Sequence, residues 1–112
     1  MASIEVFEQR REEIIKQMRD IQYMRRGTIN MNYQKVPQKG KGPILRGPYY
    51  VLSWNEGGKT VGVRLKPEEV EQAKKDVAAY KEFQILIKEY VTVTETMTEM
   101  VRNSETLDSK KN

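Results

Sequence analysis

The sequence predicts an α+β protein in which an N-terminal helix, a three-stranded antiparallel sheet and a long C-terminal helix follow one another. Three observations carry that expectation. Apolar residues recur at helical spacing before Gly27, a period of two with a Gly-Gly turn occupies residues 28–65, and a near-heptad stripe runs without interruption after Pro67. A chain of 112 residues has room for one modest core, so a single domain over residues 1–103 and a polar tail at 104–112 are expected.

The first helix is expected over residues 4–25. Ser3 suits an N-cap, Glu5 and Glu8 suit the positive end of the helix dipole, and Phe7, Ile14, Met18, Ile21 and Tyr23/Met24 mark one face. Glu12 and Lys16 form a supportive i,i+4 pair on another face. Gly27 then offers a left-handed C-cap, with Arg25 and Arg26 at the negative end of the dipole.

After Gly27 the pattern alternates. Ile29, Met31 and Tyr33 fall on one face of a strand at 28–35, and Thr28, Asn30, Asn32 and Gln34 fall on the other. Residues 37–48 hold Pro37, Pro43 and Pro48 with Gly40, Gly42 and Gly47, a composition that predicts a mobile basic loop. Tyr49-Tyr50-Val51-Leu52-Ser53-Trp54 and Lys59-Thr60-Val61-Gly62-Val63-Arg64-Leu65 flank Gly57-Gly58 and predict a hairpin. Its register should place Tyr50, Leu52 and Trp54 on one face with Val61, Val63 and Leu65.

The second helix is expected over residues 67–102. Pro67 fits the first helical position and Glu68 and Glu69 fit the first turn. About 35 residues of helix reach roughly 50 Å, farther than the sheet extends, so its distal half needs a partner. The first helix supplies part of that cover, and a second copy of the chain is the expected source of the rest. Val77, Tyr80, Ile87, Val91, Met97 and Val101 are the candidate homodimer seam. Val91-Thr92-Val93-Thr94 is its weak point, because β-branched residues disfavour helix.

Charge is unevenly distributed. Residues 27–65 carry six basic side chains against one acidic, although the whole chain has a net charge of only +4. A concentrated excess of this kind attracts polyanions. Asn30, Asn32, Gln34 and Arg64 are the candidate base readers, since amides pair with adenine and guanidinium with guanine in the major groove. Lys35, Lys39, Lys41, Arg46 and Lys59 are the candidate phosphate contacts, and Tyr49 is suited to stacking or backbone bonding. An ordinary solvated sheet face would have the same amide row, so a helical adaptor without nucleic-acid contact is the alternative.

The sequence contains neither cysteine nor histidine, which removes disulfides, Cys/His zinc sites, thiol nucleophiles and Ser-His-Asp triads. Neither a P-loop nor a dinucleotide fingerprint occurs. No enzyme activity, metal, cofactor or small-molecule substrate is expected. No run approaches the roughly 20 apolar residues of a membrane span, and the amino terminus lacks the layout of a secretory signal, which reads as cytoplasmic.

Arg25-Arg26-Gly27-Thr28, Gly47-Pro48-Tyr49-Tyr50-Val51-Leu52-Ser53, Gly57-Gly58-Lys59-Thr60, Pro67-Glu68-Glu69-Val70 and Tyr80-Lys81-Glu82-Phe83 follow in an order that resembles a little-characterised family of small bacterial and archaeal proteins. In that family a helix, a hairpin opening Gly-Pro-Tyr-Tyr and a long helix succeed one another. Relatives usually carry a Cys-rich knuckle before Gly-Pro-Tyr-Tyr. Residues 34–46 hold no cysteine here, so no metal role carries over. The family's frequent placement beside mobile-element genes implies a nucleic-acid context. The stretch Lys59 to Leu65 before an acidic helix start is also similar in architecture to the sheet-plus-helix DNA-binding domains of tyrosine recombinases, an analogy of fold alone.

Overall fold

The computed structural model describes residues 3–111, and the side chains of residues 3–105. The chain has the expected α+β order: helix α1 (Ile4–Asp20), strands β1 (Thr28–Gln38), β2 (Lys41–Glu56) and β3 (Lys59–Leu65), a 3-10 turn at Pro67–Glu69, and helix α2 (Val70–Lys111). The strands form one antiparallel sheet in the order β1-β2-β3. Two compact units result, one of Tyr23–Tyr80 and one of Met1–Gln22 with Lys81–Asn112.

In the sheet unit the β2–β3 register is the one the alternation demands. Tyr50 stands opposite Leu65, Leu52 opposite Val63 and Trp54 opposite Val61, while the Asn55 carboxamide accepts the Gly58 N–H across the turn at 3.1 Å. Leu52 and Leu65 pack with Val70, Ala73 and Val77 of α2, and Ile29, Tyr50 and Trp54 close the cluster. Burying such side chains contributes roughly 1.5–3 kcal/mol each. Helix entry is fixed by a local cap: the Lys66 N–H donates to the Glu69 carboxylate at 2.9 Å, and the Glu69 N–H donates to the Lys66 carbonyl at 2.9 Å.

Three expectations change here. Helix α1 stops at Asp20 rather than residue 25. The downstream segment is held by tertiary bonds instead, since the Arg25 N–H donates to the Asp76 carbonyl at 2.9 Å and the Arg25 guanidinium meets the Asp76 carboxylate at 3.4 Å. Gly27 is therefore not a helix cap. It enters the sheet at φ +131°, where an added Cβ would lie 2.5 Å from the Ser53 carbonyl oxygen. Of the alternating apolar trio, only Ile29 reaches the core, and Met31 and Tyr33 are exposed.

The predicted loop at 37–48 is strand. Gln34 pairs with Arg46, Lys35 with Leu45, Val36 with Ile44 and Gln38 with Lys41. Each Gly-Pro dipeptide sits where the register slips: Gly47 and Pro48 stand opposite Tyr33 alone, and Gly42 and Pro43 opposite Pro37 alone. A bulge has no ladder bond for proline to break, which is why these residues interrupt the register without ending the strand.

In the helical unit α1 and α2 run antiparallel. Ile14, Leu86, Val93 and Met97 form its core, with Ile4, Phe7, Met18, Ile21 and Tyr90 packed around them. The Arg10 guanidinium donates twice to the Glu89 carboxylate, at 2.5 and 2.6 Å. Helix α2 is 42 residues long and passes through Val91-Thr92-Val93-Thr94 without a break. The Thr96 and Thr98 hydroxyls bond back to the carbonyls of Thr92 and Thr94 at 3.0 and 2.9 Å, and no glycine or proline occurs between Val70 and Asn112 to stop it. The stretch expected as a polar tail is thus helical to Lys111, while Asn112 lies outside the described residues.

Candidate nucleic-acid interface

Strand β3 ends at Leu65 opposite Tyr50, so the β1–β2 pair continues past it as a two-stranded ribbon over residues 34–46. Five residues of β1, opposite six of β2 that include a bulge, carry the ribbon about 17 Å from its root to the turn. Gly40, at φ +76°, forms that turn with Lys39. Every residue of the ribbon except Val36 is exposed.

The ribbon gathers five of the predicted contact residues. Gln34 and Arg46 are cross-strand partners, Lys35 lies opposite Leu45, Lys41 opposite Gln38, and Lys39 occupies the tip. Because partners share a face, Arg46 and Lys35 lie on opposite faces and the positive charge surrounds the ribbon instead of forming a one-sided platform. No acidic residue occurs between Asp20 and Glu56. None of Lys35, Lys39, Lys41 and Arg46 forms an ion pair among the described residues, whereas Arg10, Arg25, Lys74 and Arg102 all do.

Asn30 and Asn32 lie nearer the root, opposite Val51 and Tyr49, on the sheet face that also carries Arg64. The Arg64 guanidinium stacks on the Tyr49 ring at 4.4 Å from its centroid. Lys59 stands apart. It is opposite Glu56 at the β2–β3 turn, ten residues along β2 from Arg46, or about 33 Å.

A notch of about 320 Å³ opens beside the ribbon's root. Its lining combines apolar Leu65 and Val70, the rings of Tyr49 and Tyr50, the cations Arg64 and Lys74, and one carboxylate, Glu71. The Lys74 ammonium lies 5.4 Å from the Tyr50 ring centroid and 3.9 Å from the exposed Glu71 carboxylate. Sequence reasoning missed Lys74 and Tyr50 here, because residues 24 apart in the chain meet only through the packing of α2 on β2. It also missed the ribbon, although Ile44-Leu45 between two Gly-Pro dipeptides was a usable signal.

The expected homodimer seam is divided. Val77 is buried in the sheet unit and Met97 in the helical unit, Tyr80 is half-buried, and Ile87, Val91 and Val101 are exposed. From Val77 to Leu86 is nine residues, so the two buried sets do not share one heptad register.

Helix, three-stranded meander and long helix define a small α+β class with a basic ribbon as its distinctive feature. The family model of a domain of unknown function, DUF6788, matches residues 4–75, more than half of the chain, and the protein belongs to that family. The match takes in α1, the whole sheet and the start of α2. No curated protein and no solved structure matches the chain. Among the described residues no helix is long and apolar enough to cross a membrane, and no acidic cluster has the make-up of a metal site.

Proposed function

We propose that this protein binds duplex DNA by laying the ribbon of residues 34–46 in the major groove, and that it acts by binding rather than by catalysis. The observation that carries this reading is the ribbon's charge: four cations, no acid, and no ion pair among the described residues to neutralise them. The groove is about 12 Å wide and 8.5 Å deep and admits a two-stranded ribbon. Cations on both faces of an inserted ribbon meet both bordering phosphate backbones, an arrangement that a flat sheet would not need. Gln34 reaches base edges, while Lys35, Lys39, Lys41 and Arg46 contact phosphates. Lys59 has no part in this contact.

Fluorescence anisotropy with a labelled duplex at low and moderate salt tests the reading. Four phosphate contacts, from Lys35, Lys39, Lys41 and Arg46, predict a slope of log affinity against log salt of about −3.6. Lys39→Glu with Lys41→Glu should weaken binding and bring that slope down by about 2. Wild-type protein that binds no duplex at either salt concentration would refute the proposal.

A second reading, self-association through α2, is favoured by Ile87 and Val91, which lie one turn apart and remain 42% and 47% exposed. It is compatible with the first, since a dimer carries two ribbons.

A further inference from the structure

We propose that the notch at the root of the ribbon takes one unpaired nucleotide, so that the protein recognises the junction of duplex and single-stranded DNA. This rests on the duplex-binding reading for the presence of a strand at that place and extends it to a second site.

Two kinds of chemistry meet in the notch. Leu65 and Val70 of the sheet core supply apolar lining, and Tyr49 and Tyr50 add ring surface. At its edge, stacking on Tyr49 holds the Arg64 guanidinium in place, and Arg64 has no carboxylate partner among the described residues. A stacked guanidinium keeps its N–H edge available for phosphate, with its orientation already fixed. Lys74 adds a second cation, in a loose ion pair of 3.9 Å with Glu71, whose exposed carboxylate also lines the notch.

A ligand matching this arrangement has a flat, largely apolar body and an attached anion. A nucleobase with its phosphate is such a body. At about 320 Å³ the notch lies at the small end of ligand pockets, suited to one nucleotide unit rather than a run of them. Position favours DNA as the source. Tyr49 follows directly on the Gly47 and Pro48 bulge from which the ribbon springs, so a strand whose phosphates follow Arg46 arrives beside Arg64. A paired base is held within the stack and cannot enter, whereas an unpaired one is free to do so.

The test compares anisotropy binding of three labelled DNAs: a blunt duplex, the same duplex with a short thymidine overhang, and the same duplex with an abasic overhang of equal length. Wild-type protein should bind the thymidine overhang about tenfold more tightly than the abasic one, which carries the same phosphates. Lys74→Glu should remove that preference while leaving blunt-duplex affinity unchanged, and Arg64→Ala should also remove it. Equal affinity for thymidine and abasic overhangs overturns the inference and leaves the ribbon reading standing. A preference that survives both substitutions overturns it too, by placing the base elsewhere. Failure to bind any of the three DNAs overturns the ribbon reading and this inference together.

Discussion

Individual side chains in this protein divide into those whose charge is used internally and those whose charge is left available. Arg10 and Glu89 belong to the first group. The bidentate hydrogen bonds from Arg10 hold the Glu89 carboxyl below its ordinary value of 4.5, and the same bonds, with help from Glu13, raise the guanidinium further above its already high range. The folded state therefore binds fewer protons at this site than the unfolded chain does. The stability linked to Glu89 is present in full above the unfolded value and is lost as pH falls through the lowered folded value. Urea unfolding followed by circular dichroism at neutral and acid pH should show wild-type stability declining more steeply below about pH 4.5 than that of Glu89→Gln. Parallel declines would mean that the pair contributes nothing to acid sensitivity. Arg64 belongs to the second group: its stacking partner Tyr49 fixes its place without cancelling its charge.

At the scale of elements, the sheet has two regions with different support. Residues 50–53 of β2 have β1 on one side and β3 on the other, and the α2 core covers one of their faces. Each ribbon strand has one partner, with one bulge inside the ribbon, another at its root, and exposed side chains. Backbone hydrogen bonds backed by buried apolar contact open less often than those exposed to water. Native-state hydrogen exchange should therefore show amides of residues 50–53 exchanging about tenfold or more slowly than those paired within residues 34–46. Uniform protection along β1 and β2 would contradict this division. The same difference explains why the β2–β3 hairpin was legible in the sequence and the ribbon was not. Aromatic and β-branched residues around Gly57-Gly58 state a hairpin locally, whereas Pro37, Pro43 and Pro48 state a loop and are overruled by bulges that only the pairing of distant residues creates.

At the scale of the molecule, the net charge of +4 conceals a strongly cationic middle between two helical segments in which opposite charges are mixed. Membership of a family described as a domain of unknown function extends through the sheet and the start of α2, so the ribbon lies within the shared region. The proposed self-association through α2 is tested on the whole chain. Sedimentation velocity at micromolar concentration should give about twice the 13.1 kDa chain mass, and Ile87→Asp with Val91→Asp should restore the single-chain value. A wild-type protein that sediments as a monomer would remove the second reading and leave the first untouched.

Sequence by itself determined the order of helix, strands and helix, the β2–β3 register, the helical turn at Pro67 that leads into α2 and the concentration of cations in the middle of the chain. These are written in local terms, in periods of two and of 3.6, turn glycines and dipole-matched glutamates, and neighbours in the chain enforce them. Only the tertiary structure decided that α1 ends at Asp20, that residues 34–46 are a ribbon, that the buried register of α2 breaks between Val77 and Leu86, and that Lys74 meets Tyr50 at a notch. Each depends on bonds or packing between residues far apart in the chain, such as Arg25 with Asp76 and Gln34 with Arg46, whose free energy outweighs local preference and leaves no mark in a short window of sequence.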